Sequence, residues 1–242
     1  QLGWQEYAVV PAHALQRIDR SLAPISTALG VLGMPGLTAY FGMLDLCDPK
    51  PGETVVVSGA AGAVGTVAGQ IAKIKGCRVI GIAGRNAKTS WLVDDLGFDG
   101  AINYKTIPNL DETLGELCPQ GIDIYFDNVG GTTSDAVFRQ LAVGARVAVC
   151  GQISQYNLEQ PEMGPRWLGQ LVVKQARVQG FLVSSYAARF PEAITHLSRW
   201  LEADEIKYRE DIAHGIESAP QVFIGMLQGK NQGKQLVQIS EG

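Results

Sequence analysis

The sequence has 242 residues and a formal net charge of −4, with an isoelectric point near 5.4. This acidic balance argues against a nucleic-acid surface, and the apolar runs fall far short of the roughly 20 residues that a membrane helix needs. The opening residues do not resemble a signal peptide, so the expected location is cytoplasmic. The four cysteines have neither zinc-site nor disulfide-framework spacing and are expected to be reduced and mostly buried: Cys47, Cys77, Cys118 and Cys150.

The first segment, QLGWQEYAVVP, predicts a strand over Trp4–Val10 that has nothing before it to pair with. We therefore expect further sequence to precede it. Between Arg20 and Asp45 the chain carries no charge and is punctuated by Gly33, Pro35 and Gly36, which predicts two short apolar helices packed on a core.

From residue 54 onward the pattern alternates regularly between strands and helices. The strands are apolar on successive residues, which is typical of a parallel sheet covered on both faces. The predicted fold class is therefore α/β, a doubly wound parallel sheet. The predicted strands are 54–58, 78–83, 101–103, 122–127, 145–150 and 178–182, followed by a last one in GKQLVQI; the predicted helices are 63–75, 87–96, 110–117 and 132–141, followed by two in the tail.

A small-residue motif, SGAAGAVG, lies between the strand 54–58 and the helix 63–75. It fits G-x-G-x-x-G on Ala60, Gly62 and Gly65, with Ala in place of the first Gly. Small residues at these positions permit a tight turn and let backbone amides approach a pyrophosphate at the positive end of the helix. The motif predicts a dinucleotide site, although close packing of helix on strand would select the same residues.

The end of the second strand, RVIGIAGRNAK, favours NADP over NAD. NAD-binding folds commonly carry an acidic residue here for the ribose 2′-hydroxyl, whereas this chain has Arg85 and Lys88. Cations suit a 2′-phosphate, and the alternative is that both are solvated charges at the start of a helix.

Taken together, these segments resemble the zinc-free branch of the medium-chain dehydrogenase/reductases, in the leukotriene B4 12-hydroxydehydrogenase / prostaglandin reductase / curcumin reductase group. The resemblance is carried by GMPGLTAYFGML, AAGAVG, GQIAKIKGCRVIGIAG, FDNVGG, CGQISQYN and GKNQGKQLV. It implies that residues 1–25 are the last part of a GroES-like catalytic domain, that 26–190 form the NADP-binding Rossmann domain, and that the helices and strand of 191–242 return to the catalytic domain. Roughly a hundred preceding residues would be absent, about one small domain.

The resemblance also implies roles for particular residues in binding NADP(H). Contacts with the pyrophosphate would come from Gly62, Ala63, Val64 and Gly65, and the 2′-phosphate would contact Lys88 and Tyr104. Further cofactor contacts are expected for Met34, Thr38, Gly84, Arg85, Asn128, Cys150, Gly151, Gln152, Ile153, Ser154, Tyr156, Phe181, Leu182, Val183 and Asn231. Taken alone, Tyr104 and Tyr156 could be packing aromatics, Asn128 a turn residue and Phe181 a core residue.

No metal is expected, because Met34 stands four residues before Thr38, where zinc-dependent relatives carry a cysteine ligand, and a thioether does not replace a thiolate on zinc. His13, His196 and His214 form no i, i+4 pair.

The implied activity is NADPH-dependent reduction of the C=C bond of an α,β-unsaturated aldehyde or ketone. The proton donor is left open: the proton could come from solvent, from the ribose hydroxyl of the cofactor or from the absent domain, and Tyr156 is the candidate within this sequence. The alternatives are a quinone reductase of the same superfamily and a catalytically silent NADP-binding module. A small-molecule substrate is expected, with no nucleic acid and no membrane as partner, and a homodimer through the exposed edge RVQGFLV is an open possibility.

Overall fold

Strands and helices alternate through most of the chain in the computed structural model, which describes residues 3–15 and 17–240. The strands are β1 (Thr54–Ser58), β2 (Arg78–Ala83), β3 (Gly100–Asn103), β4 (Ile122–Asp127), β5 (Leu141–Val149), β6 (Arg177–Gly180), β7 (Glu210–His214) and β8 (Lys234–Gln238). The helices are α1 (Met34–Phe41), α2 (Gly65–Ile74), α3 (Asn86–Asp94), α4 (Leu110–Leu117), α5 (Gly131–Arg139), α6 (Leu168–Lys174), α7 (Phe190–Glu202) and α8 (Ala219–Leu227), and α1 continues into a π-helical turn, Gly42–Cys47.

Six of the strands form one parallel sheet in the order β3-β2-β1-β4-β5-β6. The chain moves outward in one direction from β1 to β3 and then crosses back to β4, which lies on the other side of β1. The carboxyl ends of β1 and β4 therefore flank the topological switch point, where open α/β sheets bind their ligands. This order confirms the predicted doubly wound fold.

Both faces of the sheet are buried. Val55 and Val57 of β1 belong to one apolar cluster and Val56 to a second one on the opposite face. Such burial explains why the strand sequences read as continuous apolar runs. No helix among residues 3–15 and 17–240 is long and apolar enough to cross a membrane.

The tail packs onto this sheet in two places. Ala193 and Leu197 of α7 are fully buried in the core cluster that also contains α1. Strands β7 and β8 form a separate parallel pair, and the residue before β8, Gly233, donates a backbone hydrogen bond to the carbonyl of Ala61 over 2.9 Å. The segment that leads into β8 is thereby fixed against the turn after β1. The predicted domain limits at 25 and 190 stay predictions.

One local prediction is wrong, and two elements were not predicted. The strand predicted over Trp4–Val10 is wrong: residues 3–15 contain only a short 3₁₀ turn, and Tyr7 and Val9 are exposed because no neighbouring strand pairs with them. Helix α6 was not predicted; it follows the loop-like stretch NLEQPEMGPRW, and its seven residues include the β-branched Val172 and Val173. Strand β7 was missed because its sequence, EDIAH, carries little apolar signal and its partner lies 24 residues away.

Candidate active site

An open cleft of about 420 Å³ lies at the carboxyl edge of the sheet, between the ends of β1, β2 and β4 and the segment that joins α8 to β8. Its location is the switch point that the strand order defines. Eleven of the residues predicted to bind cofactor line it: Gly62, Ala63, Val64, Gly65, Gly84, Lys88, Tyr104, Asn128, Ile153, Tyr156 and Asn231.

The floor of the cleft is the turn between β1 and α2. The residue with a left-handed backbone is Gly59, at φ +58°, one position before the Ala60 that stands at the first motif position. Gly65 is needed for close packing, because a Cβ there would overlap the Gly59 carbonyl oxygen and lie 2.8 Å from Ala60 Cα. A Cβ on Gly62 would meet only the Gly59 oxygen, at 3.2 Å, so this glycine leaves space mainly on the cleft side.

Helix α2 begins at the end of this turn, directly beside the cleft. Backbone N–H groups in the first turn of a helix have no intrahelical acceptor and carry a partial positive charge. Ala63 and Val64 bring this part of the backbone to the cleft wall. The geometry suits a diphosphate.

Positive charge collects where β2 and β3 end. Lys88 of α3 is half-buried, and its pKa is lowered by burial and by the neighbouring cations Arg85 and Lys105. Lys105 lies with its amine 5.9 Å from the centre of the Tyr104 ring, and both side chains border the space in front of Gly84. Lys88 with its cationic neighbours Arg85 and Lys105, together with the Tyr104 phenol, suits a compact, doubly charged anion such as a phosphate.

The amine of Lys88 donates a hydrogen bond of 2.9 Å to the carbonyl of Gly229, just after α8. This bond holds the end of α8 near the cleft and places the amine beside it. A lysine ammonium has three hydrogens, so it can keep this contact and still donate to an anion.

Two cations in this region were missed as site residues. Lys105 directly follows the predicted Tyr104, and its basic side chain in NYK was the available signal. Lys234 begins β8 and lines the cleft, where burial lowers the pKa of its amine. None of the described residues that line the cleft is acidic.

Asn128 lies at the end of β4 and is fixed in two ways. Its side-chain amide donates to the backbone oxygen of Ser58 over 2.7 Å, and its backbone N–H donates to the Ser58 hydroxyl over 3.0 Å. The pair ties the end of β4 to the end of β1 on the two sides of the switch point. Asn128 is thus more than a turn residue before Gly130.

The loop after β5 lies against the same strand end. The backbone N–H groups of Cys150 and Gly151 donate to Asp127 O, and that of Ser154 donates to Val129 O. Burial raises the pKa of the Cys150 thiol to about 12. Within this loop only Ile153 and Tyr156 reach the cleft wall among the described residues.

Several predicted cofactor residues lie elsewhere. Phe181 packs edge-on against Phe126, Val183 lies partly buried against the core, and Leu182 is exposed. Met34 is exposed at the start of α1 and accepts a hydrogen bond from the Thr38 hydroxyl. Residues outside the described cleft lining are Met34, Thr38, Arg85, Cys150, Gly151, Gln152, Ser154, Phe181, Leu182 and Val183, and their cofactor contacts stay predictions.

Within residues 3–15 and 17–240, no three His, Cys, Asp or Glu side chains come together as a group that could hold a metal ion. Zinc independence stays a prediction that depends on Met34.

The fold and the cleft together define a Rossmann-type dinucleotide-binding protein with a cationic pocket at the adenosine end. The comparisons identify its family. A family model described as zinc-binding dehydrogenase matches residues 63–199. The chain is 53% identical over 242 residues to the protein YfmJ of Bacillus subtilis (strain 168), covering 99% of this chain and 71% of that protein.

Two further similar proteins point to the same family. The 2-alkenal reductase (NADP(+)-dependent) of Nicotiana tabacum is 47% identical over 239 residues, which cover 98% of this chain and 69% of the relative. The crystal structure of CurA from Vibrio vulnificus in complex with NADPH superposes with a TM-score of 0.86 at 48% identity, covering 90% of this chain and 66% of that one. The chain thus spans about two thirds of the length of these proteins. It belongs to the medium-chain dehydrogenase/reductase family, as the sequence motifs predicted.

Proposed function

We propose that this protein is an NADPH-dependent reductase of C=C bonds conjugated to a carbonyl group. The observation that carries the proposal is the cleft at the switch point, which joins a glycine turn at a helix start to a cationic pocket and has no acidic residue in its described lining. The NADP-dependent 2-alkenal reductase and the NADPH-bound CurA support the same assignment.

The residues of the cleft fit NADPH at two points. The turn at Gly62 and the start of α2 would hold the diphosphate, and the half-buried Lys234 adds a cation on the opposite wall. Lys88 and Tyr104 would hold the 2′-phosphate, which an acidic residue at this position would repel. The remainder of the cofactor would extend across the switch point toward Asn128 and Tyr156.

The proposed reaction adds two electrons and two hydrogens to the double bond. NADPH, when bound, supplies a hydride, which the β-carbon of the unsaturated aldehyde or ketone accepts. Negative charge then develops on the carbonyl oxygen, and the α-carbon takes up a proton.

Tyr156 is the candidate for delivering that proton. Its ring lines the cleft, and its hydroxyl oxygen accepts a hydrogen bond from the backbone N–H of Gln152 over 3.0 Å. Because the hydroxyl is an acceptor in this contact, its own hydrogen remains available for a ligand in the cleft. The role of Tyr156 as proton donor is part of this proposal.

The direct test follows the absorbance of NADPH during incubation with a 2-alkenal and, separately, with a quinone. We expect oxidation of NADPH by the alkenal, with deuterium from C4-labelled NADPH appearing on the β-carbon of the product. Turnover of the quinone alone would favour the quinone reductase alternative, and NADPH binding without turnover of either would favour the silent module. Tyr156→Phe should lower kcat more than the affinity for NADPH if Tyr156 delivers the proton.

We also propose a homodimer formed through β6, the outermost strand of the sheet. Among the described strands it pairs only with β5, and Val172 and Val173 of the preceding helix α6 are exposed apolar residues. Sedimentation should give the mass of a dimer for the native protein and of a monomer for Val178→Lys.

We also propose a cytoplasmic location. The support is the four free cysteines, three of them buried, which suit a reducing compartment.

A further inference from the structure

A buried carboxylate lies beneath the cleft, at the end of β4. Asp127 is 2% exposed. Its Oδ1 atom accepts hydrogen bonds from the Tyr125 hydroxyl at 2.8 Å and the Ser58 hydroxyl at 3.0 Å. The backbone N–H groups of Val129 and Gly130 each donate to the same atom over 3.0 Å. These four donors fix the orientation of the carboxylate.

The other oxygen of Asp127 holds the loop that follows β5. Its Oδ2 atom accepts from the Ser134 hydroxyl at 2.7 Å and from Nε2 of Gln152 at 2.9 Å. The amide of Gln152 fills the space above Gly130, where a Cβ would overlap the Gln152 Oε1 atom. Gln152 is thus the side chain that connects the loop to the buried carboxylate.

The backbone of the same residue contacts the cleft side of the loop. The Gln152 N–H donates to the hydroxyl of Tyr156 over 3.0 Å, and Tyr156 is 64% exposed and lines the cleft. One residue therefore links Asp127, through its side chain, to Tyr156, through its main chain. A shift of the Gln152 backbone would move the tyrosine hydroxyl.

We infer that Gln152 is a positioning residue: by hydrogen bonding to buried Asp127 it holds Tyr156 at the part of the cleft that takes the nicotinamide half of the cofactor. This inference rests on the proposed function, that the cleft binds NADPH. The assignment of halves follows from the sheet order, because the 2′-phosphate pocket lies at β2 and β3, whereas the loop of Gln152 lies beyond β4 on the other side of the switch point.

The test compares two ligands that share the adenosine end. Adenosine 2′,5′-bisphosphate carries the 2′-phosphate but lacks the nicotinamide half, so it reports on the β2 side alone. Gln152→Met keeps the length of the side chain and removes its hydrogen-bond donor. We expect the Kd of NADPH to rise about tenfold and the Kd of the bisphosphate to change by less than about twofold.

The matched control is Gln155→Met in the same loop. The Gln155 side-chain amide donates to the Ser154 hydroxyl and to Glu162, each at 3.0 Å, and it is not among the described donors to the Asp127 carboxylate. This variant should bind both ligands as the native protein does. Adding Tyr156→Phe to the Gln152→Met variant should cause little further loss of NADPH affinity, because both changes affect the same contact with the cofactor.

An equal loss of affinity for NADPH and the bisphosphate in Gln152→Met, or no loss of affinity for either ligand, contradicts the positioning role of Gln152. Failure of both Gln152→Met and Gln152→Asn to fold would make the amide a stability element and would overturn the inference as well. A native protein that binds neither ligand would instead refute the proposed function itself.

Discussion

Removing the amine of Lys88 tests the cationic pocket most selectively. In Lys88→Met the side chain keeps its length and apolar body but loses its charge. The amine is half-buried and close to Arg85 and Lys105, so a phosphate at this point relieves repulsion among three cations as well as accepting a hydrogen bond. A hydrogen bond to a charged group contributes about 1.5–3 kcal/mol, which corresponds to a rise of roughly 10- to 150-fold in the Kd of NADPH.

The same variant should change the Kd of NADH by less than about twofold, because NADH has no 2′-phosphate and therefore makes no contact with Lys88 that the substitution could remove. Kd values for both ligands come from fluorescence titration of nicotinamide, and the exposed Lys75 at the end of α2 offers the control Lys75→Met. Loss of the bond to Gly229 should lower the free energy of unfolding by about 1 kcal/mol, which melting measurements report separately. An equal loss of affinity for NADPH and NADH, or none for either, would refute the assignment of this pocket.

The glycine turn, an ion pair and a buried thiol give further predictions. Gly65→Ala should destabilise the fold by about 1–3 kcal/mol, since its Cβ meets backbone atoms. Gly62→Ala should keep a melting temperature close to that of the native protein and bind NADPH more weakly. Arg146 donates to both oxygens of Glu53, so Arg146→Met should lower the free energy of unfolding by about 2 kcal/mol at pH 7. Burial raises the pKa of Glu53, but hydrogen bonds from Arg146 and the backbone outweigh it and hold this pKa below its usual value. The difference in unfolding free energy between native protein and variant should therefore narrow at acidic pH, as Glu53 takes up a proton. Burial raises the pKa of the Cys47 thiol to about 12, so the unreactive thiol form predominates at pH 8 and thiol reagents should label Cys47 only on unfolding.

Most of the sheet could be predicted from the sequence because its strands are buried on both faces. β1, β2 and β4 have the predicted limits, and α2 and α3 differ from the predicted helices by one or two residues at each end. Helix α4 also has its predicted limits, helped by Asn109, whose side chain accepts hydrogen bonds at its start. The buried strands give the clearest signal, because their sequences are continuous apolar runs.

The errors fall where the stabilising partner is distant or lacking. Residues 4–10 have strand-like composition, but composition cannot supply a neighbouring strand. β7 exists because β8 pairs with it, and this contact is invisible in a local window of sequence. The two elements show that pairing decides strand formation at the edges of a fold.

For the candidate site, the sequence indicated which residues line the cleft better than it indicated which side chains hydrogen bond to one another. The residues in SGAAGAVG and Asn128 were found because a glycine turn and the carboxyl end of a strand have recognisable patterns. Asp127 was overlooked, although it lies beside Asn128 in FDNVGG, since only the fold shows six donors meeting one buried carboxylate. Lys234 was overlooked because its place opposite the turn depends on how the tail returns to the sheet.

The central claim is that the cleft at the switch point binds NADPH through the glycine turn and the cationic pocket. Calorimetric titration of the native protein with NADPH and with NADH tests it most directly. The account predicts that NADPH binds at one site per chain and at least about tenfold more tightly than NADH. Equal affinities would contradict the role of the pocket around Lys88, and absence of binding for both would contradict the claim that this cleft holds the cofactor.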